Sequence, residues 1–269
     1  MKVIKWSEIQ NEITNKISLK ELSQGSGVTI GSFDGLHIGH RKLIDLLLKK
    51  TSEKNLIPII ATFSTPLPNY KHSSDYRGDI STLNQRLSIF EELGVQYVLL
   101  IDFSDEFAKI GGTDFFSVLQ KVFNMKLLVE GFDFRCGYKG STDCEAITYY
   151  AKSNNLDFNY LDPVIYESER VSSSYIRKMI MNGFFSTVND LLLRNYEVDC
   201  SDVESKINEN ILYYDKSEIK QVLPEKGIFN VLVKTSANEI RTRLVVSSTK
   251  LELRELNCSA IPRIQTIKF

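Results

Sequence analysis

Two glycines, an aspartate and two histidines fall within the stretch 29–40, TIGSFDGLHIGH. Gly31 and Gly35 remove side chains where a backbone must turn sharply or approach a ligand closely, and Asp34 lies between them. A helix starting near Leu36 to Ile38 would aim its free N–H groups and the positive end of its dipole at a phosphate, with His37 and His40 projecting from its first turn. Two imidazoles one turn apart can donate hydrogen bonds to the same phosphate. The small Gly39 between them lets an adenine or ribose pack directly on the backbone. The competing account is a helix start at which both histidines only cap or pack. The chain has three histidines and two of them share this turn, which weakens that account. Zinc is a further alternative, but no nearby cysteine or second histidine cluster would complete a tetrahedral shell.

A second segment that could hold phosphate lies far along the chain. Residues 169–180 read ERVSSSYIRKMI. Ser172, Ser173 and Ser174 precede an amphipathic helix whose N-terminus they can cap, and where they can bind phosphate. Arg177 offers a planar fork to pyrophosphate, and Arg170 is a second cation nearby. Taken alone, the segment also reads as a serine-capped helix with a surface arginine.

These residues need a scaffold, and the first two thirds of the chain alternates apolar runs with helical patterns. GVTIG precedes IGHRKLIDLLLKK, and IPIIATF precedes STLNQRLSIFEELG. In the latter, Leu83, Leu87, Phe90 and Leu93 recur at helical spacing, with Ser81 or Thr82 as N-cap and Gly94 as the stop. VQYVLLI, a helical stretch around GTDFFSVLQKVF, and MKLLVEG continue the alternation. The pattern predicts an α/β fold with a parallel sheet covered on both faces, whose ligands bind at the carboxyl ends of the strands. Beyond about residue 185 the texture becomes β-rich in GIFNVLVKT, EIRTRLVVSS and TKLELREL, which predicts a smaller second domain. The expected division is 1–185 and 186–269.

Composition limits the partners. A chain of 269 residues with 42% hydrophobic residues can bury a substantial core, and a net charge of −1 provides no global attraction to nucleic acid or to an anionic membrane. The N-terminal MKVIKWSEIQNEITNK interrupts its apolar residues and lacks the core of a signal peptide. LIPIIATF and YVLLI fall well short of the roughly 20 residues of a membrane span. Cys136, Cys144, Cys200 and Cys258 form no CxxC pair, so reduced thiols in the cytoplasm are expected.

GSFDGLHIGH resembles the signature of the HxGH nucleotidyltransferases, and its form GxFDGxHxGH most resembles the FAD synthetase (FMN adenylyltransferase) module of bacterial bifunctional riboflavin kinase/FAD synthetases. Class I aminoacyl-tRNA synthetases share the HxGH letters, but a chain this short and neutral has little with which to grip tRNA. RVSSSYIR resembles the family's ISSTxIR motif, with Val171 for isoleucine and Ser174 for threonine. TLNQRLSIFEELGVQYVLLIDFSDEFAKIGGTDFF resembles the helix, strand and flavin-side loop segment. VEGFDFRCGYKG resembles V-x-G-x-[DN]-F-x-F-G, with Cys136 in place of an aromatic residue. In ATFSTPLPNY, Thr62, Phe63 and Pro66 keep part of a TFxPHP-like turn that lacks its histidine here.

The resemblance implies a Rossmann-like fold and transfer of AMP from ATP to FMN with Mg²⁺, giving FAD and pyrophosphate. It implies catalytic roles for His37, His40, Ser173, Ser174 and Arg177. Gly31, Ser32, Phe33, Gly35, Gly39, Asp133, Arg170 and Ser172, together with the two histidines, would bind ATP. Asp34, Phe63 and Phe134 would lie on the flavin side, and Asp34 is a weak metal candidate. LPEKGIFNVLV resembles the LPxxGVYxVxV strand of the riboflavin kinase barrel, whereas the GRxxGFPTAN segment has no PTAN counterpart, which implies a reduced, kinase-inactive barrel. The rival readings are another phosphorylated acceptor, such as a nicotinamide nucleotide, phosphopantetheine or a small alcohol phosphate, and a non-catalytic flavin-nucleotide binding module.

Overall fold

A computed structural model of the protein describes residues 1–9, 20–66, 76–208, 211–254 and 263–269. The N-terminal stretch beyond Ile9, the PLPNY turn from Leu67 onward and Cys258 lie outside the described residues. The chain forms two compact units with interleaved segments. The first comprises Met1–Phe33, Gly39–Ser73 and Arg86–Ile165, and the second Asp34–Ile38, Ser74–Gln85 and Tyr166–Phe269. The segment 29–40 thus passes from the first unit to the second and back again.

The first unit is built on six parallel strands: β1 (Lys2–Lys5), β2 (Ser26–Ile30), β3 (Ile57–Phe63), β4 (Tyr97–Ile101), β5 (Met125–Gly131) and β6 (Asp157–Leu161), in the order β1-β4-β3-β2-β5-β6. Every residue of SGVTI in β2 and IPIIATF in β3 is buried, as expected for central strands covered on both faces. The edge strands KVIK and DFNYL are the more exposed ones. Helices α1 (Ile38–Glu53), α2 (Leu83–Glu92), α3 (Gly112–Phe123) and α4 (Cys144–Ser153) connect the strands. Val28, Ile59, Leu99 and Leu128 of the sheet form one core with Phe116, Leu119 and Phe123 of α3 and Ile147 of α4. Each such side chain contributes about 1.5–3 kcal/mol on burial.

Local signals set the ends of α2. The Thr82 hydroxyl accepts the Gln85 N–H at 3.3 Å while the Gln85 side chain accepts the Thr82 N–H at 2.9 Å, a reciprocal capping box. Gly94, at φ 80°, provides the left-handed stop. One feature departs from the expected apolar stripe: Arg86 is fully buried, while Leu87 is only half-buried.

Two short strands, β7 (Ile165–Tyr166) and β8 (Glu169–Arg170), precede helices α5 (Ser173–Met181) and α6 (Phe185–Leu192). The second unit then forms an antiparallel seven-stranded sheet from β9 (Glu197–Asp199), β10 (Lys206–Asn208), β11 (Ile211–Asp215), β12 (Gly227–Thr235), β13 (Glu239–Val246), β14 (Lys250–Arg254) and β15 (Ile264–Lys268). Their order is β10-β11-β14-β13-β12-β15-β9. The β-rich runs seen in the sequence are β12, β13 and β14. Phe185 of α6 stacks on Phe269 at 4.1 Å and meets Phe229 of β12 edge-on, which anchors helix to sheet. Among the described residues, no helix is long and apolar enough to cross a membrane.

Candidate active site

The first unit holds a cavity of about 550 Å³ at the carboxyl ends of its strands. Ile30, Gly31 and Ser32 line it where β2 ends, and Phe63 where β3 ends. The segment after β5 adds Phe134, Cys136 and Tyr138. Phe103, Phe107 and Phe115 complete an aromatic wall. Phe107 meets Phe63, Phe103 and Phe115 edge-on at 6.2, 5.5 and 5.5 Å. Burial in this apolar wall pushes the Cys136 thiol up to about 12, so at neutral pH it stays an uncharged lining group. Gly31, Ser32, Phe63 and Phe134 are therefore brought together.

Other sequence candidates in this unit are placed differently. Phe33 is 1% exposed, sits at φ 48° and packs its ring edge-on against Phe90 at 5.7 Å, so its side chain belongs to the core. His40, in the first turn of α1, is half-buried and meets the Phe33 ring at 5.3 Å. Asp133 is exposed. Sequence reading missed Glu130, which is fully buried at the end of β5, where its Oε1 accepts the Ile30 N–H at 2.7 Å. Burial pushes this carboxyl well above the usual carboxylate range.

In the second unit Asp34 is the hub. It is 2% exposed, and its carboxylate accepts the Ile80 N–H at 2.9 and 3.1 Å and the Ser81 N–H at 3.0 Å. The Arg177 guanidinium donates to Asp34 Oδ2 through Nη2 and to the Gly78 carbonyl through Nε at 2.8 Å, and it lies over the Tyr76 ring. Arg177 is thus buried, where an isolated serine-capped helix would leave it on the surface. Ser81 does not cap α2; its hydroxyl accepts the Gly35 N–H at 2.9 Å. Gly35 sits at φ 83°, and a Cβ there would fall 2.9 Å from Ile80 Cγ2, so both conformation and space exclude a side chain.

The serines divide their work. Ser172 is the N-cap of α5, its hydroxyl accepting the Tyr175 N–H at 3.2 Å. Ser173 donates to the Asp34 carbonyl at 3.0 Å, and Ser174 is exposed. Arg170 is exposed on β8. Arg194, another residue without a sequence signal, donates to the Gly35 carbonyl at 2.8 Å.

His37 is 5% exposed, and burial, reinforced by the positive charges of Arg194 and Arg177, lowers its pKa to about 4. It is therefore neutral at pH 7. The unfolded chain takes up this proton near pH 6.5, so stability contributed by neutral His37 is complete above that pH and is lost as pH falls towards 4. We expect denaturant titrations to show a loss of up to roughly 3 kcal/mol across this window, and His37→Asn to flatten it. An unchanged slope in the variant would assign the acid sensitivity to other groups.

Among the described residues, no group of three or more His, Cys, Asp or Glu side chains could hold a metal ion. With Asp34 already accepting from three partners, the donor set does not fit a resident magnesium site.

Comparison with known proteins agrees with this geometry. The FAD synthetase family model matches residues 19–175, more than half of the chain. The chain is 24% identical over 183 residues to the bifunctional riboflavin kinase/FMN adenylyltransferase of Buchnera aphidicola subsp. Schizaphis graminum, covering 67% of this chain and 59% of that protein. It is 26% identical over 215 residues to the protein of that name from Escherichia coli K12, covering 78% and 68%. For Bacillus subtilis the values are 28% over 184 residues, 66% and 56%. The chain thus spans about three fifths of the length of such relatives. A crystal structure of a Macrolide-efflux Protein from Streptococcus pneumoniae superposes with a TM-score of 0.75 at 22% identity, covering 91% of both chains, a likeness of fold alone. A parallel sheet with an aromatic cavity at its strand ends, the GSFDGLHIGH turn and a family match across residues 19–175 lead to one assignment: the chain belongs to the FAD synthetase family.

Proposed function

We propose that the protein is an FMN adenylyltransferase that transfers AMP from ATP to FMN, giving FAD and pyrophosphate. The observation that carries this reading is the cavity at the carboxyl ends of β2 and β3, whose wall of phenylalanines and neutral Cys136 suits a flat tricyclic ring. Phe63 and Phe134 would hold the flavin.

In this reaction a phosphate oxygen of FMN attacks the α-phosphorus of ATP. The new P–O bond forms as the bond to the β-phosphate breaks, and pyrophosphate leaves. The FMN phosphate is an anion at neutral pH, so position and charge do the catalytic work and no general base is needed. His40 donates a hydrogen bond to the phosphates from the first turn of α1. His37 contributes a neutral N–H rather than a cation. The backbone at Gly31, Ser32, Phe33, Gly35 and Gly39 accommodates the nucleotide, with Asp133 at its edge. Ser174 and Arg170 orient the triphosphate, while Ser172 and Ser173 hold the turn that presents them. Arg177 takes the departing pyrophosphate through Nη1, its other donors being anchored. Asp34 acts as the positioning partner of Arg177, in place of a flavin or metal contact. Magnesium enters with the phosphates of ATP, and no step depends on a protein cage for it.

In this reading the segment 1–185 carries the transfer, and 186–269 has no riboflavin kinase activity because the sequence offers no PTAN element. The setting is the cytoplasm, with small-molecule partners and neither nucleic acid nor membrane. Incubating the protein with ATP, Mg²⁺ and either FMN or riboflavin, then separating flavins by chromatography, tests both points. We expect FAD from FMN and no FMN from riboflavin. FMN appearing from riboflavin would overturn the kinase assignment, and intact FMN after incubation would overturn the transferase assignment.

A further inference from the structure

Arg86 takes no part in the chemistry described above, yet it is the largest fully buried side chain in the molecule's described residues. Its Nη1 donates to the Ser32 carbonyl at 2.9 Å, to the Phe63 carbonyl at 2.9 Å and to Thr62 Oγ1 at 3.1 Å. Its Nη2 donates to the Ser64 carbonyl at 3.2 Å. Ser32 and Phe63 both line the aromatic cavity. A single guanidinium therefore ties together the two chain segments that leave β2 and β3 at the carboxyl edge of the sheet.

The placement has a physical cost that calls for a return. Burying a guanidinium carries a large desolvation cost before its hydrogen bonds are counted, and an apolar residue at this inward position of α2 would pack without that cost. The carbonyls it serves lie where the parallel ladder ends, and a buried carbonyl without a donor is itself unfavourable. A planar fork reaches several acceptors in fixed directions, which a lysine ammonium cannot do. We propose that Arg86 is a positioning residue for the acceptor: by holding the Ser32, Phe63 and Ser64 carbonyls it fixes the separation of the two walls between which the flavin ring is received.

The inference rests on reading this cavity as the flavin site, and the test separates the two. Arg86→Lys and Arg86→Met are made in the full chain, and folding is checked by thermal unfolding. Initial rates at varied FMN and varied ATP are measured first. A widened or irregular slot raises KM for FMN roughly tenfold in Arg86→Met and leaves KM for ATP nearly unchanged. Arg86→Lys retains the charge but not the fork, and falls between wild type and Arg86→Met. Hydrogen exchange in the ligand-free variants is the second readout. The Gly31 and Ser64 amides, bonded to the Ala61 and Ile101 carbonyls at 3.0 Å, lose protection while amides of β5 do not. If the wild type makes no FAD, the functional reading fails and exchange alone decides the positioning role. If Arg86→Met does not fold, Arg86→Lys carries both measurements. Unchanged exchange at Gly31 and Ser64 overturns the proposal, as does an equal rise in both KM values.

Discussion

Replacing Asp34 by alanine is expected to lower the stability of the folded chain by about 3–5 kcal/mol, equivalent to a fall in Tm of roughly 10 °C. The carboxylate is 2% exposed and Arg177 is 8% exposed, so the variant would leave a guanidinium charge buried beside an empty space. Two backbone donors, the Ile80 and Ser81 N–H groups, would lose their acceptor at the same time. The double variant Asp34→Ala/Arg177→Met removes the stranded charge and should recover a large part of the loss, because the remaining cost is the Ile80 and Ser81 N–H groups without their acceptor and the Gly78 carbonyl without its Arg177 donor. Asp34→Asn keeps one acceptor oxygen and should fall between. Denaturant unfolding of the four proteins measures this directly. A single-variant loss under about 1 kcal/mol would mean that water enters the site and screens Arg177. Activity should vanish in Asp34→Ala, since Arg177 would no longer be held by Asp34 Oδ2.

The second large effect is on turnover. His40→Ala should lower the rate of FAD formation by roughly 10²–10³-fold, the usual consequence of removing one donor aimed at developing charge. His40 is half-buried in the first turn of α1, where its ring meets Phe33 edge-on. Thermal unfolding should move by only a few degrees. His37→Ala is the contrasting case: the ring is 5% exposed, and its loss leaves a cavity as well as a missing donor. Single-turnover measurements with FMN and ATP would separate chemistry from product release. A His40→Ala rate within about threefold of wild type would remove His40 from the phosphate contacts.

Much of the architecture was legible in the sequence because its causes are local. SGVTI and IPIIATF are continuous apolar runs, and a strand buried on both faces needs such a run. The hydroxyl and glutamine of Thr82 and Gln85 define a helix start, and Gly94 defines its end, within one turn of chain each. The glycine turn and helix entry of GSFDGLHIGH were legible for the same reason: both are decided by neighbouring residues.

What could not be read in advance depends on residues far apart in the chain. Asp34 looked like a group free to meet a flavin or a metal, until its partners proved to be Ile80, Ser81 and Arg177, up to 143 positions away. Arg86 occupies an inward position of α2 where residue type alone would place a polar side chain at the surface, and the acceptors that receive it are carbonyls of Ser32, Phe63 and Ser64 that only sheet assembly brings together. The aromatic wall likewise draws Phe63, Phe103, Phe107, Phe115 and Phe134 from three separate strand exits and a helix. The downward shift of His37 and the upward shift of Glu130 belong to the same class, because desolvation exists only once the fold has excluded water. Residue type and short spacing named the elements. The fold then assigned which polar groups were spent on each other and which remained for a ligand, because that division depends on long-range pairing and burial.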